Sequence, residues 1–228
     1  MPSPLTNLTL GAEYRDVFLP ASRQEATGEV TPAKIDLLVL RAAAGRQTQT
    51  GEARRAMERL ALRHATSQEP IRVATLTPSG RPIALHDGDT IPLQVSASHA
   101  AGLIVATCRT GSAGVGVDLV DPATAGSGLD WWAETSGHAD KSPAMRSHFW
   151  AAREAAYKAA QLDIPFAPAA IHVAMLSDEG FAWRIGTPSG PIAGRGRFFV
   201  AGQCLLAVAV EQQRVAVGMR ADEVVLCS

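Results

Sequence analysis

One candidate for chemistry is a stripe of side chains in the segment SHFWAAREAAYKAA. Trp150, Glu154 and Lys158 are each four residues apart, so a helix would place an aromatic ring, a carboxylate and an ammonium on one face. Taken alone, this spacing is better explained by a surface ion pair beside a core tryptophan, because helix surfaces carry many such pairs. The stripe indicates a site only if other polar residues join it.

A second carboxylate lies upstream in VGVDLVD, on a predicted strand. Asp118 stands between Val117 and Leu119, so its side chain points away from the face that these two residues bury. An exposed edge aspartate, or a turn cap at Asp121, would also explain a carboxylate here. However, one carboxylate on a strand and another on a following helix can hold Mg²⁺ through oxygen ligands, with phosphates and water completing its shell.

Two upstream turns carry polar side chains that suit phosphate groups. In VSASHAAGLIV, Ser98 and His99 end one strand before small residues lead into the next, and His99 is either a satisfied turn histidine or a phosphate donor. In PSGRP, a glycine and a proline fix a turn that displays Arg81, either as a solvated arginine or as a phosphate contact. The local sequence leaves these alternatives open.

Helices and strands that position these residues are also predicted. Amphipathic spacing predicts a helix over 51–66 and another over 142–161, where Ser142 caps the start and Pro143 occupies the first turn. The segment 27–44 is helical or extended and stays unplaced. Apolar runs between turn residues predict antiparallel strands in IRVATLT, IPLQVSAS, GLIVATC, VGVDLV, AAIHVAMLS, FAWRIG, RGRFFVA and QCLLAVAV.

Helix followed by antiparallel strands occurs twice, which predicts an α+β fold made of two similarly built halves. We expect an N-terminal half over 1–115 and a C-terminal half over 116–228, joined as one unit. The repeat is architectural, because the two halves share no convincing sequence identity.

Composition narrows the class of protein. The chain has 228 residues, of which 46% are hydrophobic, and this is enough to bury a core. A formal net charge of -1 does not indicate a nucleic acid or an anionic membrane as a partner. Three widely spaced cysteines without a CxxC pair argue against a disulfide framework, and we find neither a secretory leader nor a membrane-spanning apolar run. We therefore expect a soluble, cytoplasmic protein.

Together and in this order, GRP, SASH, GVDLV and WAAREAAYK resemble the motifs of the 4'-phosphopantetheinyl transferase superfamily. The usual forms there are GKP or GRP, S-x-S-H, G-[VI]-D-[IL]-E and W-x-x-K-E-A-x-x-K. The motifs span about a third of this chain, whose length resembles the long, monomeric, pseudo-twofold type named for the surfactin-synthetase activator. This resemblance implies an enzyme that uses Mg²⁺ to move phosphopantetheine from coenzyme A to a serine of an acyl or peptidyl carrier protein. Such enzymes release 3',5'-ADP and serve fatty acid, polyketide or nonribosomal peptide biosynthesis.

The resemblance also implies residue roles. Asp118 and Glu154 would bind the Mg²⁺ together with the coenzyme A pyrophosphate, and Glu154 would act as base on the carrier serine, directly or through a water. Lys158 would neutralise the phosphate oxygens as the bond to the leaving group breaks. Phosphoryl transfer suits such residues, because it depends on charge stabilisation and in-line positioning. The side chains that would contact coenzyme A are Arg55, Arg81, Ser98, His99 and Lys158.

The first helix carries two neighbouring arginines, Arg54 and Arg55. Long-type members often carry basic residues on this helix toward the 3'-phosphate of coenzyme A, and the resemblance favours Arg55 for that contact. The alternative is a solvated helix face, since helix surfaces are commonly rich in arginine.

Two positions depart from the family pattern. Val120 stands where the long type usually has a glutamate, so the third carboxylate ligand is missing and a water could replace it. Asp121 is the nearest other carboxylate, but one step along a strand reverses the side of the sheet that a residue faces. Arg153 replaces the usual lysine before Glu154, which keeps the positive charge and changes its geometry.

Two other functions stay open. A non-catalytic relative would bind carrier protein or coenzyme A without transferring anything; the two departures favour it, and the retained Asp118, Glu154 and Lys158 oppose it. The weaker alternative is a different Mg²⁺-dependent nucleotide enzyme. The sequence contains neither a GxxxxGK[ST] loop nor a GxGxxG motif after a strand to support that class.

Overall fold

The computed structural model describes residues 5–23, 30–43, 45–64, 70–77, 79–125, 128–130 and 141–214. Across these ranges the protein is α+β with mostly antiparallel strands, which confirms the predicted class. Among the described residues, the longer helices are α1 (Arg46–Ala61) and α2 (Pro143–Ala160), residues 128–130 are also helical, and 3₁₀ turns lie at Leu62–His64 and Pro168–Ala170. The strands are β1 (Thr6–Leu8), β2 (Glu13–Arg23), β3 (Val30–Arg41), β4 (Arg72–Thr75), β5 (Pro82–His86), β6 (Asp89–Thr90), β7 (Leu93–Ala100), β8 (Leu103–Thr110), β9 (Val115–Val120), β10 (Ile171–Met175), β11 (Gly180–Ile185), β12 (Ile192–Ala201) and β13 (Cys204–Arg214).

The strands of the described residues form three sheets. The largest has the order β10-β11-β12-β13-β9, with β1 added in parallel beside β12. A second sheet has the order β2-β3-β8-β7, and a small third sheet joins β4, β5 and β6. Strand β1 comes from the start of the chain, yet it lies in the sheet that residues from position 115 onward otherwise form. The division of the chain at 115/116 stays a prediction.

Helix α2 packs against β9 and β13, and its backbone comes very close to the chain at Gly114 and Gly116. A Cβ atom added to Gly116 would stand 2.0 Å from the carbonyl oxygen of Ala155, and one added to Gly114 would stand 1.8 Å from that of Ala159. Glycine is therefore required at both positions for the backbones to approach this closely. The helix side of this contact is formed by fully buried alanines, Ala151, Ala152, Ala155, Ala156, Ala159 and Ala160.

Strand β9 is covered on both faces. Val115, Val117 and Leu119 pack into the core between the two larger sheets, whereas Val120 packs toward α2. Asp118 lies on the same face as Val120, as the alternation of a strand predicts, and only 4% of it is exposed. An exposed edge aspartate is therefore the wrong explanation for this carboxylate.

Helix α1 packs on the second sheet through the apolar face that its spacing predicts. Ala53, Met57, Leu60 and Ala61 are all buried there. The helix begins five residues before the predicted start at position 51 and ends at Ala61. Its first turn has the polar sequence RQTQ, so hydrophobic periodicity could not locate the start.

The predicted start of α2 is confirmed. The Oγ atom of Ser142 accepts a hydrogen bond from the backbone N–H of Met145, and Pro143 is the first helical residue. Gln161 ends the helix in a left-handed conformation with a φ of 53°. The Ser142 side chain thus provides an acceptor for a backbone N–H in the first turn of the helix that carries Glu154 and Lys158.

Two strand pairs were not predicted. The unplaced segment 27–44 proves to be largely β3, which is extended and pairs with β2. Strand β5 follows the PSGRP turn, and a tight turn with Asp87 and Gly88 in left-handed conformations connects it to β6. An aspartate followed by glycine is a common hairpin signal, and it marks this hairpin in the sequence. Among the described residues, no helix is both long and apolar enough to cross a membrane.

Candidate functional site

The helix stripe and the strand aspartate meet at one point. The Nζ atom of Lys158 lies 2.8 Å from Asp118 Oδ1 and 3.5 Å from Glu154 Oε2. The same ammonium donates a hydrogen bond of 3.0 Å to the backbone carbonyl of Val117. A surface ion pair alone therefore does not explain this stripe. Lys158 also links α2 to β9, through the side chain of Asp118 and the backbone of Val117.

Burial and charge shift the protonation of this cluster. Burial, followed by the negative charge of Asp118, raises the pKa of Glu154 to about 7 despite the opposing effect of Lys158. Burial by itself lowers the pKa of Lys158, but the carboxylates of Asp118 and Glu154 outweigh it, so the net pKa of this lysine is raised. Two carboxylates that disfavour each other's charge, with a cation between them, form an arrangement that a divalent cation would stabilise.

Ser98 contacts this cluster from strand β7. Its Oγ atom lies 3.0 Å from Asp118 Oδ1 and accepts a hydrogen bond of 3.1 Å from the backbone N–H of Leu119. The sequence resemblance implies a contact between Ser98 and coenzyme A, whereas in the structure the hydroxyl is engaged by β9. A direct contact with coenzyme A stays a prediction.

Two clefts open on either side of His99 and Lys158. The first has a volume of about 300 Å³ and the second about 510 Å³, and Ala97, His99 and Lys158 line both. The first cleft combines basic and apolar side chains, among them Arg54, Met57, Val73, Arg81 and Tyr157. The second cleft is lined by three carboxylates, Asp118, Asp121 and Glu154, and also by Thr124, Leu129 and Trp150. His99 and Lys158 therefore mark the junction between a basic cleft and an acidic cleft.

Arg81 connects the PSGRP turn to the end of α2. Its Nη1 atom donates a hydrogen bond of 2.9 Å to the carbonyl oxygen of Gln161, the residue that caps the helix. The guanidinium also lines the first cleft. The explanation of Arg81 as a solvated hairpin arginine is therefore wrong, because the side chain is docked on α2.

The arginine of α1 that lines the first cleft is Arg54. Both Arg54 and the neighbouring Arg55 are exposed, but the guanidinium of Arg55 lies back over the helix beside Gly51. Neighbouring residues on a helix point about 100° apart, so the rotation of α1 about its axis decides which arginine faces the cleft. The sequence alone does not specify this rotation. The contact between Arg55 and coenzyme A stays a prediction.

The two departures from the family motifs have structural explanations. Arg153 is 7% exposed, donates a 2.9 Å hydrogen bond from Nε to the carbonyl of Ile171 on β10, and has its pKa lowered by burial. It therefore anchors α2 to the neighbouring strand. Val120 packs in the core beneath α2 and offers no oxygen ligand.

Asp121 has a structural role. Its carboxylate accepts hydrogen bonds from Ala123 N at 3.0 Å, from the hydroxyl of Thr124 at 3.1 Å and from the amide of Gln203 at 3.2 Å. These contacts fix the turn after β9, as the alternative of a turn cap predicts. Asp121 also lines the second cleft, but this turn already engages both oxygens of its carboxylate.

Two carboxylates of this site, Asp118 and Glu154, fit the protein ligands of a magnesium ion. Among the described residues, no group of three or more histidine, cysteine, aspartate or glutamate side chains is placed to hold a metal ion. Mg²⁺ commonly binds one or two carboxylates and completes its octahedral shell with waters and substrate phosphates. Asp118 and Glu154 fit this pattern, because both line the second cleft and both contact Lys158.

The two described cysteines, Cys108 and Cys204, lie buried in the core. Both are free thiols, and burial raises their pKa values to about 12 and about 11. Cys227 lies outside the described residues. Thiols with raised pKa values are poor nucleophiles, which is consistent with packing roles.

Sequence reasoning missed three features of this site. The resemblance favours Arg55 whereas Arg54 lines the cleft, and the roles that it implies include neither Ser96, which contacts β9, nor Gly116, which contacts α2. A glycine inside the strand VGVDLV signals a close backbone approach, so Gly116 was detectable from the sequence.

In comparisons with known proteins, no family model matches the chain and no curated protein matches it.

Proposed function

We propose that this protein is a Mg²⁺-dependent 4'-phosphopantetheinyl transferase that uses coenzyme A and an acyl or peptidyl carrier protein. The observation that carries the proposal is the meeting of Asp118, Glu154 and Lys158 at the junction of two clefts. These residues come from two of the four motifs, and His99 and Arg81 from the other two motifs line the adjoining cleft. Four motifs spread over the sequence thus contribute to one continuous surface.

The first cleft suits the nucleotide end of coenzyme A. Arg54, Arg81 and His99 provide hydrogen-bond donors for phosphate oxygens, and arginine in particular matches phosphate geometry. Met57 and Val73 provide apolar surface for a base. We assign the 3'-phosphate to Arg54 rather than Arg55, because Arg54 lines the cleft.

The second cleft suits the pantetheine arm and the approaching carrier serine. It is wider than the first and includes apolar surface from Leu129 and Trp150 beside the carboxylates. A pyrophosphate that crosses from the first cleft to the second would pass Lys158, which lines both. The reacting phosphorus would then lie near the ammonium and the two carboxylates.

In the proposed reaction, the serine hydroxyl of the carrier attacks the phosphorus that bears pantetheine. An oxygen–phosphorus bond forms, the bond to the bridging oxygen breaks, and 3',5'-ADP leaves with that oxygen. Glu154 accepts the proton of the serine, and Lys158 neutralises charge on the phosphate oxygens. Asp118 and Glu154 would hold Mg²⁺, which would neutralise the pyrophosphate when bound.

The proposal extends to the architecture. Helix α1 packs on β7 and β8, and helix α2 packs on β9 and β13, so each half would contribute a helix on an antiparallel sheet. We propose that these halves form the pseudo-twofold unit of the long transferase type, acting as a monomer in the cytoplasm. The substrates would then bind along the seam between β7 and β9.

Release of 3',5'-ADP tests this function. The protein is incubated with coenzyme A, Mg²⁺ and an apo carrier protein, and nucleotides are separated by chromatography. We expect 3',5'-ADP to form only with the carrier whose acceptor serine is intact, and a carrier with that serine changed to alanine is the control. Release that is independent of the carrier would indicate hydrolysis and would contradict transfer.

A non-catalytic binder remains the second candidate, and the observation that favours it is Val120, which leaves two carboxylates in the site. Such a binder would hold coenzyme A or carrier protein without forming 3',5'-ADP. Coenzyme A would then raise the melting temperature of the protein, while the chromatographic assay would show no product.

A further inference from the structure

Strands β7 and β9 run side by side at the seam between the two larger sheets. Each is the last strand of its own sheet order, β7 after β8 and β9 after β13. The N–H groups of Val117 and Leu119 point toward β7, where no backbone ladder receives them. Buried N–H groups need acceptors, so this seam requires side-chain oxygens.

Two serines of β7 provide those oxygens. Ser96 Oγ accepts from Val117 N at 3.2 Å, and Ser98 Oγ accepts from Leu119 N at 3.1 Å. Ser96 and Ser98 are two residues apart on β7, and Val117 and Leu119 are two residues apart on β9. The hydroxyls therefore lie on one face of β7 and the N–H groups on one edge of β9. The serines of the S-x-S motif therefore join the two sheets.

Besides its bond to β9, Ser98 makes a second hydrogen bond, to the carboxylate of Asp118. A serine hydroxyl can accept one hydrogen bond and donate another, and Leu119 already occupies Oγ as a donor. The hydroxyl hydrogen is thus available to Asp118 Oδ1, which lies 3.0 Å away. This bond and the bond from Lys158 both end on Oδ1, so together they fix the rotation of the carboxylate.

We propose that Ser98 is a positioning residue that orients Asp118 for a divalent cation, whereas Ser96 joins the sheets and lines the first cleft. The inference rests on one part of the proposed function, namely that Asp118 is a metal ligand. Groups that hydrogen-bond a ligating carboxylate orient it and raise metal affinity. Ser98 therefore acts on the metal through Asp118, in addition to any contact with coenzyme A.

The pair Ser96 and Ser98 provides a matched test. In S96A and S98A, the same kind of inter-sheet hydrogen bond is lost, but only S98A removes the contact to Asp118. S98T keeps a hydroxyl at a position that lines the second cleft. Three quantities are measured for each full-length variant: the urea midpoint, the affinity for Mn²⁺ from electron paramagnetic resonance of the free ion, and kcat and KM for transfer.

We expect both S96A and S98A to lower the urea midpoint, with the larger loss in S98A because it removes two hydrogen bonds. Mn²⁺ affinity should fall about 10-fold or more in S98A, stay at the wild-type value in S96A and recover in S98T. The kcat for transfer should follow Mn²⁺ affinity, with a smaller change in the KM for coenzyme A. Wild-type Mn²⁺ affinity in S98A, or an equal loss in S96A, would overturn the inference.

Failure of the proposed function gives a different pattern. If the wild-type protein binds Mn²⁺ and transfers nothing, the proposed function fails, and a selective loss of Mn²⁺ affinity in S98A still supports the positioning role. If the wild-type protein binds no Mn²⁺ with or without coenzyme A, the positioning role is overturned as well.

Discussion

Lys158 is closer to Asp118, 40 residues away in sequence, than to Glu154 on its own helix. The Nζ atom lies 2.8 Å from the aspartate and 3.5 Å from the glutamate. Lysine and glutamate four residues apart usually form a weak surface pair. Here the ammonium ties α2 to β9, and it balances the charge of two carboxylates that would otherwise repel each other.

Replacing Lys158 with methionine tests this balance. K158M keeps much of the side-chain volume but leaves Asp118 and Glu154 without a counter-charge. Breaking a buried pair in this way costs about 3–5 kcal/mol, and we expect the lower end because 26% of the lysine side chain is exposed. The free energy of unfolding, measured with urea in the presence of chelator, should fall accordingly, and Mg²⁺ should restore more stability to K158M than to the wild-type protein.

The matched control is K34M. Lys34 forms a pair with Asp16 at 3.7 Å in which both side chains are more than half exposed. An exposed pair contributes less than about 1 kcal/mol, so K34M should unfold near the wild-type midpoint. Equal losses in K34M and K158M would show that the contact between α2 and β9 has no special energetic role.

Adding a methyl group at Gly116 should separate α2 from the sheet. The new Cβ would stand 2.0 Å from Ala155 O and 2.5 Å from Ala159 N, and backbone atoms cannot rotate away. We expect G116A to lose about 3 kcal/mol or more of unfolding free energy and to lose transfer activity, because Glu154 and Lys158 would move away from β9. Chemical denaturation and a transfer assay measure both effects.

G186A is the control for this change. A Cβ at Gly186 would meet no atom within 4 Å, so the variant should stay within about 0.5 kcal/mol of the wild-type protein. A G116A protein with wild-type stability and activity would contradict the close approach of α2 to β9.

The two arginines of α1 should differ in their effect on coenzyme A binding. R54A should weaken the affinity roughly 5- to 10-fold, as expected for one charge-assisted contact, and R55A should leave it nearly unchanged. Isothermal titration calorimetry with coenzyme A and with 3'-dephospho-coenzyme A measures both. If Arg54 contacts the 3'-phosphate, R54A should not affect the dephosphorylated ligand. A larger loss in R55A would favour the residue that the sequence resemblance indicates.

The raised pKa of Glu154 predicts how stability depends on pH. The carboxyl has a pKa of about 7 in the folded protein and an ordinary value of 4.5, so between these values the folded state keeps a proton that the unfolded state has lost. The stabilisation that this proton represents is complete below pH 4.5 and is lost as the pH rises through about 7. The metal-free wild-type protein should therefore lose stability over this interval relative to E154Q. Parallel curves for the two proteins, from urea denaturation in chelator, would exclude the shift.

Mg²⁺ should reverse this trend. A metal ion binds the deprotonated carboxyl, so its stabilising effect grows as the pH rises through the pKa of Glu154. Thermal unfolding with and without Mg²⁺ should show a larger difference near pH 8 than near pH 6. In E154Q, the difference should be small at both values.

The sequence identifies most of the elements that form the site, because their signals are local. Ser142 and the alanine-rich spacing predict α2, and alternation in VGVDLV predicts that Asp118 faces away from Val117. The direct contact of Lys158 with Asp118 could not be predicted, since it depends on how closely α2 approaches β9. Hydrophobic spacing also does not distinguish Arg54 from Arg55, because the rotation of α1 is set by tertiary packing.

The most direct test of transferase activity is the intact mass of an apo carrier protein after incubation with this protein, coenzyme A and Mg²⁺. Parallel samples contain a chelator, or D118N in place of the wild-type protein. We predict that the carrier gains the mass of one phosphopantetheine group with the wild-type protein and that the gain disappears in both parallel samples. An unchanged mass for carriers from fatty acid, polyketide and nonribosomal peptide pathways would contradict the proposed transferase activity.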